Sequence, residues 1–131
     1  MKNMLKQRTE EFFDGFSNWD YKKILGLCSE KIVWRVHAIK PVGGIYSGTL
    51  GIKKLLDKLR FQLPQGLEFN IERLVAESHV VAVEWSDKGY AKDGSAYSNK
   101  GMSFIEYDAG GKITEISEIV DSSHLGNLFT H

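Results

Sequence analysis

Four ionisable side chains on predicted β-strands are the residues with the clearest capacity for chemistry. Arg35 and His37 lie on an early strand, Glu84 on a later one and Glu118 on the last. If they share one mostly apolar cavity, burial and mutual charge would shift their pKa values, and a carboxylate could act as a general acid or base beside a cationic group that stabilises developing charge. The alternative is that Arg35 pairs with Glu84 or Glu118 as a purely structural ion pair.

The composition is that of an ordinary folded protein. Of 131 residues, 42% are hydrophobic and 26% are charged, and 17 basic residues balance 17 acidic ones. This length fits one domain over residues 1–131, and the neutral balance disfavours nucleic acid and membrane as partners. The single Cys28 and the lack of a long apolar run predict a cytoplasmic protein. The histidines and the cysteine are dispersed, so neither a metal nor another cofactor is expected.

Apolar periodicity predicts three helices in the first half of the chain. A stripe between Leu5 and Phe16 marks the first helix, and Asp20 is suited to cap the N-terminus of a short second helix. The third helix is predicted from apolar residues spaced i, i+3, i+4 and i+7 within residues 52–59.

From Gly66 onward the apolar pattern changes to period two, which is typical of strands. Strands are predicted at about 67–76, 80–91, 97–107 and 112–120, after an earlier strand at 32–38 and a short extension at 45–46. A short helix over 121–129 closes the chain. Helices followed by a meander of strands do not alternate as βαβ units, so the predicted class is α+β.

Seven short segments follow one another in a characteristic order: FSNWD at 16–20, VWRV at 33–36, GIYSG at 44–48, AVEW at 82–85, DGSAYSN at 93–99, GKITE at 111–115 and EIVD at 118–121. These segments and the order of the predicted elements resemble the SnoaL-like branch of the nuclear transport factor 2-like superfamily, which is related to ketosteroid isomerases and polyketide cyclases.

The resemblance implies a cone-shaped roll in which three N-terminal helices pack on a curved, mixed and mainly antiparallel sheet that encloses an apolar pocket. It also implies a homodimer formed through the outer face of the sheet. It does not imply one reaction, because this fold hosts isomerases, cyclases, epoxide hydrolases and non-catalytic binders.

The catalytic residues of ketosteroid isomerase have no counterparts here by alignment. The tyrosine position falls at Phe12, the base at Arg35 and the oxyanion aspartate at Ser103. Phenylalanine donates no hydrogen bond and arginine takes up no proton at neutral pH, so that mechanism is disfavoured.

Epoxide hydrolases of this fold offer a closer comparison. Their last-strand aspartate falls at Glu118, their arginine at Glu84 and their other aspartate at Ser86, while Arg35 on a neighbouring strand could supply the missing cation. This alignment turns Arg35, His37, Glu84 and Glu118 into the cone.

Simple alternation on the first strand predicts the opposite orientation. The even positions of residues 32–37 are apolar, so Trp34 would be buried and Arg35 and His37 exposed. We follow the alignment, because a sheet whose outer face joins a partner can be apolar outside and polar within its pocket.

The other predicted pocket residues are aromatic or small and polar: Phe16, Trp19, Tyr46, Phe61, Tyr97, Asn99 and Ser103. Ordinary core packing is an equal alternative for the aromatic ones, and Asn99 could orient a ligand or bond to the backbone. The expected function is binding of a small hydrophobic molecule, with isomerase, cyclase or hydrolase chemistry that needs no cofactor. The alternatives are a non-catalytic binding or sensing domain and a dimeric scaffold with a vestigial pocket.

Overall fold

A computed structural model describes residues 2–129. The helices are α1 (Lys2–Asp14), α2 (Tyr21–Gly26), α3 (Gly48–Gln62) and α4 (Ser122–Phe129), and a 3₁₀ helix (Gly15–Asn18) joins α1 to α2. The strands are β1 (Cys28–His37), β2 (Gly44–Ser47), β3 (Leu67–Glu77), β4 (Val80–Tyr90), β5 (Ala96–Tyr107) and β6 (Ile113–Val120). Among these helices, none has the length and apolar character that crossing a bilayer requires.

The strands form one six-stranded sheet in the order β2-β1-β6-β5-β4-β3. β1 and β6 run parallel, and every other neighbouring pair is antiparallel. The helices α1 and α3 pack against one face of this curved sheet. The predicted α+β roll, with a mixed and mainly antiparallel sheet, is confirmed.

The helices form where their local signals predict them. The Asp20 carboxylate accepts a hydrogen bond from the Lys23 backbone N–H at 3.1 Å and so caps α2. α1 buries Leu5 and Phe12 and α3 buries Leu55, which lie on the predicted apolar stripes. Burial of these stripes against the sheet, rather than helix propensity alone, holds the helices in place.

Aromatic side chains join α1 to the sheet. The ring centroids of Phe13 and Phe69 lie 4.9 Å apart, and those of Phe69 and Trp85 lie 5.0 Å apart in an edge-to-face arrangement. Phe12 packs against Trp34 at 5.6 Å. Such pairs contribute about 0.5–1.5 kcal/mol each beyond their buried area, so this cluster seats α1 on β1, β3 and β4.

The strand boundaries differ most at β1, which begins at Cys28 and not at residue 32. Cys28 pairs with Ile113 of β6, and the register shifts between Cys28 and Val33. The residues between them are largely polar and lack a period-two pattern, so this part of the strand depends on pairing with a distant segment.

Candidate functional site

A narrow cavity lies between the helices and the inner face of the sheet. Its volume is about 40 Å³. Its walls are apolar except for two acidic side chains, the Tyr97 hydroxyl and the Trp34 indole N–H, and the lining residues are Phe13, Phe16, Trp34, Val36, Val42, Leu55, Leu59, Leu63, Leu67, Phe69, Trp85, Asp87, Tyr97, Glu118, Val120 and Leu125. We call this space the inner cavity.

Glu118 of β6 is buried and faces the inner cavity, as predicted. Its Oε1 accepts a hydrogen bond at 2.9 Å from Ser103 Oγ, which in turn accepts one at 2.9 Å from Trp85 Nε1. Burial raises the pKa of Glu118 to about 7, with a further contribution from the charge of Asp87, while Ser103 and Trp34 oppose the rise. The carboxyl is therefore poised to exchange a proton near neutral pH.

Asp87 of β4 is a second buried acid on the same cavity. Burial raises its pKa to about 7, against a smaller opposing effect of the Asn99 backbone N–H. Among the described residues, its Oδ1 has no hydrogen-bond partner. The sequence analysis missed this residue, although it shares the parity of Val81 and Trp85, which are buried on the same strand.

Trp34 of β1 brings a third polar group to the cavity. Its side chain is 3% exposed, and its Nε1 also lacks a hydrogen-bond partner within residues 2–129. An indole N–H only donates. The Trp34 indole lies near enough to the Glu118 carboxyl to lower its pKa, but it makes no hydrogen bond of normal geometry with a described residue.

Tyr97 and Asn99 lie on β5 beside these acids. Asn99 Nδ2 donates to Tyr97 Oη at 2.9 Å and to the Asp121 carbonyl oxygen at 3.0 Å. Burial raises the pKa of Tyr97, and the charge of Asp87 adds to the effect. Tyr97 also lines a neighbouring outer cleft of about 300 Å³ between the β4–β5 turn and α4, so it borders both this cleft and the inner cavity.

The expected inward orientation of Arg35, His37 and Glu84 is wrong. Arg35 Nη1 pairs with Glu115 Oε1 at 2.5 Å on the outer face, where both side chains are 42% exposed. Exposed His37 has a 3.3 Å contact between its Nε2 and Ser117 Oγ, and Glu84 Oε1 pairs with Arg73 at 2.8 Å.

The physical reason for this error is strand parity. Side chains alternate between faces, so burial of Trp34 and Val36 on β1 turns Arg35 and His37 outward. On β4, buried Trp85 and Asp87 place Glu84 and Ser86 on the outer face in the same way. The orientation taken from the alignment is therefore wrong on both strands, and on β1 the alternation of apolar residues predicted the orientation that the structure shows.

Of the predicted pocket residues, Phe16 and Tyr97 line the inner cavity. Ser103 and Asn99 are buried beside it. Ser103 does not line the cavity but donates a hydrogen bond to Glu118, which does.

Three predicted pocket aromatics lie elsewhere. Trp19 is buried and donates through Nε1 to the Leu63 carbonyl oxygen at 2.7 Å. Tyr46 is buried and donates to the Val42 carbonyl oxygen at 2.5 Å. Phe61 is 66% exposed, because it lies on the solvent side of α3, where Lys92 Nζ sits 3.8 Å from its ring centroid.

No cluster of three or more histidine, cysteine or acidic side chains suited to a metal ion occurs within residues 2–129. The arrangement is instead one of two buried carboxyls in an apolar enclosure, which is suited to proton transfer.

Solved structures define the class of fold. An NTF2-like protein from Burkholderia xenovorans LB400 matches with a TM-score of 0.75 and 22% identity over 96% of this chain and 95% of that one. TerC, co-crystallised with polyporic acid, matches with a TM-score of 0.84 and 18% sequence identity, and the match covers 98% of this chain and 99% of TerC. An NTF2-like protein of unknown function from Burkholderia pseudomallei K96243 matches with a TM-score of 0.85 and 14% sequence identity, and the match covers 98% of each chain. At these identities the likeness shows an NTF2-like fold alone.

The family follows from the sequence itself. The family model of the SnoaL-like domain matches residues 9–116, so the chain belongs to the SnoaL-like domain family. The predicted resemblance is confirmed. Comparison with curated protein sequences gives no match.

Proposed function

We propose that this chain binds a small, largely apolar organic molecule in the inner cavity and performs acid/base chemistry on it with Glu118 and Asp87. The observation that carries the proposal is the pair of buried carboxyls on one apolar cavity, each with its pKa raised to about 7. Groups with such pKa values exchange protons most efficiently near neutral pH.

The two acids take different protonation states, because the negative charge of one disfavours ionisation of the other. The ionised form of Asp87 raises the pKa of Glu118, so the state with one proton on the pair is favoured near pH 7. In that state one carboxylate accepts a proton from the bound molecule while the other carboxylic acid donates. This chemistry needs no cofactor, and its reaction class is an isomerisation, a cyclisation or a hydrolysis.

Ligand entry requires the inner cavity to widen. Its volume of about 40 Å³ is below the roughly 150 Å³ of an engineered cavity that admits benzene. Tyr97 and Leu125 line it, and Tyr97 also lines the outer cleft, so movement of Tyr97 and α4 would join the two spaces. The co-crystallisation of TerC with polyporic acid supports binding of an organic molecule by a chain of this fold.

The small cavity volume also favours a second candidate function. A chain whose cavity stays narrow would serve as a non-catalytic binding domain or as a dimeric scaffold with a vestigial pocket. Asp87 and Glu118 would then have only a structural role, as buried polar groups at one end of the core.

The outer face of the sheet supports a homodimer. Met102, Phe104 and Ile119 lie on this face and are 52%, 58% and 64% exposed. Met102 pairs directly with Ile119 across β5 and β6, so the apolar surface is continuous there. Ion pairs of Arg35 with Glu115 and of Arg73 with Glu84 place both signs of charge on the same face, which suits a two-fold contact between copies.

Proton transfer is tested by exchange at a carbon acid. Cyclohexanone is incubated with the protein in D₂O, and deuterium entry beside the carbonyl is followed by NMR. The wild type should accelerate exchange, and Glu118→Gln and Asp87→Asn should each reduce the acceleration by about 100-fold or more, because each removes a general acid or base. Glu84→Gln is the matched control, since Glu84 faces outward in an ion pair, and it should exchange like the wild type.

Binding is measured on the same proteins by native mass spectrometry. An equal exchange rate in the wild type and Glu118→Gln contradicts the catalytic proposal. Retention of a small molecule by both proteins without exchange supports the non-catalytic binding domain instead.

A further inference from the structure

Two buried side-chain polar atoms lack a hydrogen-bond partner among residues 2–129, and their side chains line the same cavity. They are Trp34 Nε1 and Asp87 Oδ1. Trp34 is 3% exposed and Asp87 7%. A buried polar group without a partner is unfavourable, and in native proteins such groups are rare enough to need an explanation.

The other tryptophans of the chain show that an unpaired indole is exceptional here. Trp19 Nε1 donates to the Leu63 carbonyl oxygen at 2.7 Å, and Trp85 Nε1 donates to Ser103 Oγ at 2.9 Å. Of these three, Trp34 alone makes no hydrogen bond of normal geometry, although its indole acts on the nearby Glu118 carboxyl and lowers its pKa.

The chemistry of the two groups defines what would satisfy them. The indole N–H only donates, and an ionised carboxylate only accepts, so a single group that satisfied both would accept from Trp34 and donate to Asp87. A hydroxyl group does both. An ether or a ketone only accepts, an ammonium group only donates, and a hydrocarbon does neither.

Charge excludes an anionic ligand from this arrangement. Both titratable acids on the cavity wall, Asp87 and Glu118, repel an anion, and none of the described residues that line the cavity is a lysine or an arginine. The other lining residues are aromatic, such as Phe13 and Phe69, or aliphatic, such as Leu55, so the body of the ligand would meet apolar walls.

We propose that the ligand of the inner cavity is a small, neutral hydroxyl compound with an apolar body, whose oxygen accepts from Trp34 Nε1 and whose O–H donates to Asp87 Oδ1. A phenol, an enol or an alcohol has this chemistry. The inference rests on the proposed function, because it assigns a ligand class to the same cavity.

The test uses three probes with the same number of non-hydrogen atoms. p-Cresol offers an acceptor and a donor, anisole an acceptor only, and p-xylene neither. Their affinities are measured by calorimetry at pH 8, where most of Asp87 is ionised. p-Cresol should bind about tenfold or more tightly than either other probe, because only p-cresol satisfies both groups.

Substitutions assign this preference to the two residues. Trp34→Phe and Asp87→Leu should each bring the affinity for p-cresol close to that for p-xylene, with p-xylene binding retained. Trp19→Phe is the matched control, since it also removes a buried indole N–H but lies off the cavity, and it should keep the preference. If Trp34→Phe does not fold, Asp87→Leu decides the assignment.

The possible failures are distinguishable. Equal affinity for p-cresol and p-xylene in the wild type overturns the hydroxyl assignment and leaves the apolar cavity as a binding site. Tighter binding of benzylamine, a cation of the same size, overturns it in favour of an amine site. If none of the four probes binds, the proposed function itself fails together with the inference.

Discussion

At the scale of single residues, Glu118 and Asp87 determine how the protein responds to pH. Burial raises the pKa of each to about 7 in the folded state, whereas the ordinary values of 4.5 and 3.8 apply in the unfolded chain. Between these limits the folded protein binds more protons than the unfolded one. The free energy of unfolding therefore falls as pH rises through this range.

We expect the free energy of unfolding to decrease between pH 5 and pH 8 by on the order of 2–3 kcal/mol for each group. Glu118→Gln and Asp87→Asn should each flatten this dependence, because the substituted side chain no longer ionises. Urea denaturation at a series of pH values measures the effect, with Glu84→Gln as the control that keeps it. A wild-type profile that is flat or rises over this interval would contradict the burial of these acids.

At the scale of elements, the contact between β4 and β5 shapes the wall beside Glu118. Gly101 of β5 lies opposite Trp85 of β4. A Cβ at position 101 would lie 2.4 Å from Trp85 Cζ2 and 2.5 Å from the Ile119 carbonyl oxygen. Glycine at position 101 therefore leaves room for the Trp85 indole, which donates to Ser103 Oγ, and Ser103 in turn donates to the Glu118 carboxyl.

Gly101→Ala should destabilise the protein by about 1–3 kcal/mol, because the added methyl group forces Trp85 or β6 to move. Thermal unfolding and tryptophan fluorescence measure the loss of stability and the displaced indole. Gly26→Ala is the control: its added Cβ meets no atom within 4 Å, so stability should stay within about 0.5 kcal/mol of the wild type. Equal stability of the two variants would show that the sheet relaxes freely at this point.

At the scale of the whole molecule, the two faces of the sheet have different characters. The inner face closes over the cavity with α1 and α3, while the outer face leaves Phe104 and Ile119 exposed between ion pairs. Stable interfaces bury about 800 Å² on each partner. A second copy of the chain packed on this face would remove Phe104 and Ile119 from solvent.

Phe104→Lys should convert the proposed dimer into a monomer, because it places like charges opposite each other at the two-fold contact. Light scattering coupled to size-exclusion chromatography measures the mass. Leu50→Lys is the control, since Leu50 is 76% exposed but lies on α3, away from the outer face. A wild type that is monomeric at micromolar concentration would remove the basis of the dimer.

The order and type of the elements could be predicted because their signals are local. The spacing of Ile52, Leu55 and Leu56 defines α3, and the cap at Asp20 marks the start of α2. The start of β1 could not be predicted, because Cys28 is held in the sheet by Ile113 of β6. Parallel pairing between segments so distant in sequence leaves no local pattern.

By itself, the sequence determined the family, the fold class and the inward position of Glu118. It also carried the correct parity of β1 in the alternation of Trp34 with Arg35, because side-chain direction follows from the backbone period of a strand. Only the tertiary structure decided that Asp87 joins Glu118, that Trp34 Nε1 stays unpaired and that the cavity is narrow. These properties depend on how tightly α1, α3 and α4 close over the sheet, and therefore on packing between segments that are distant in the chain.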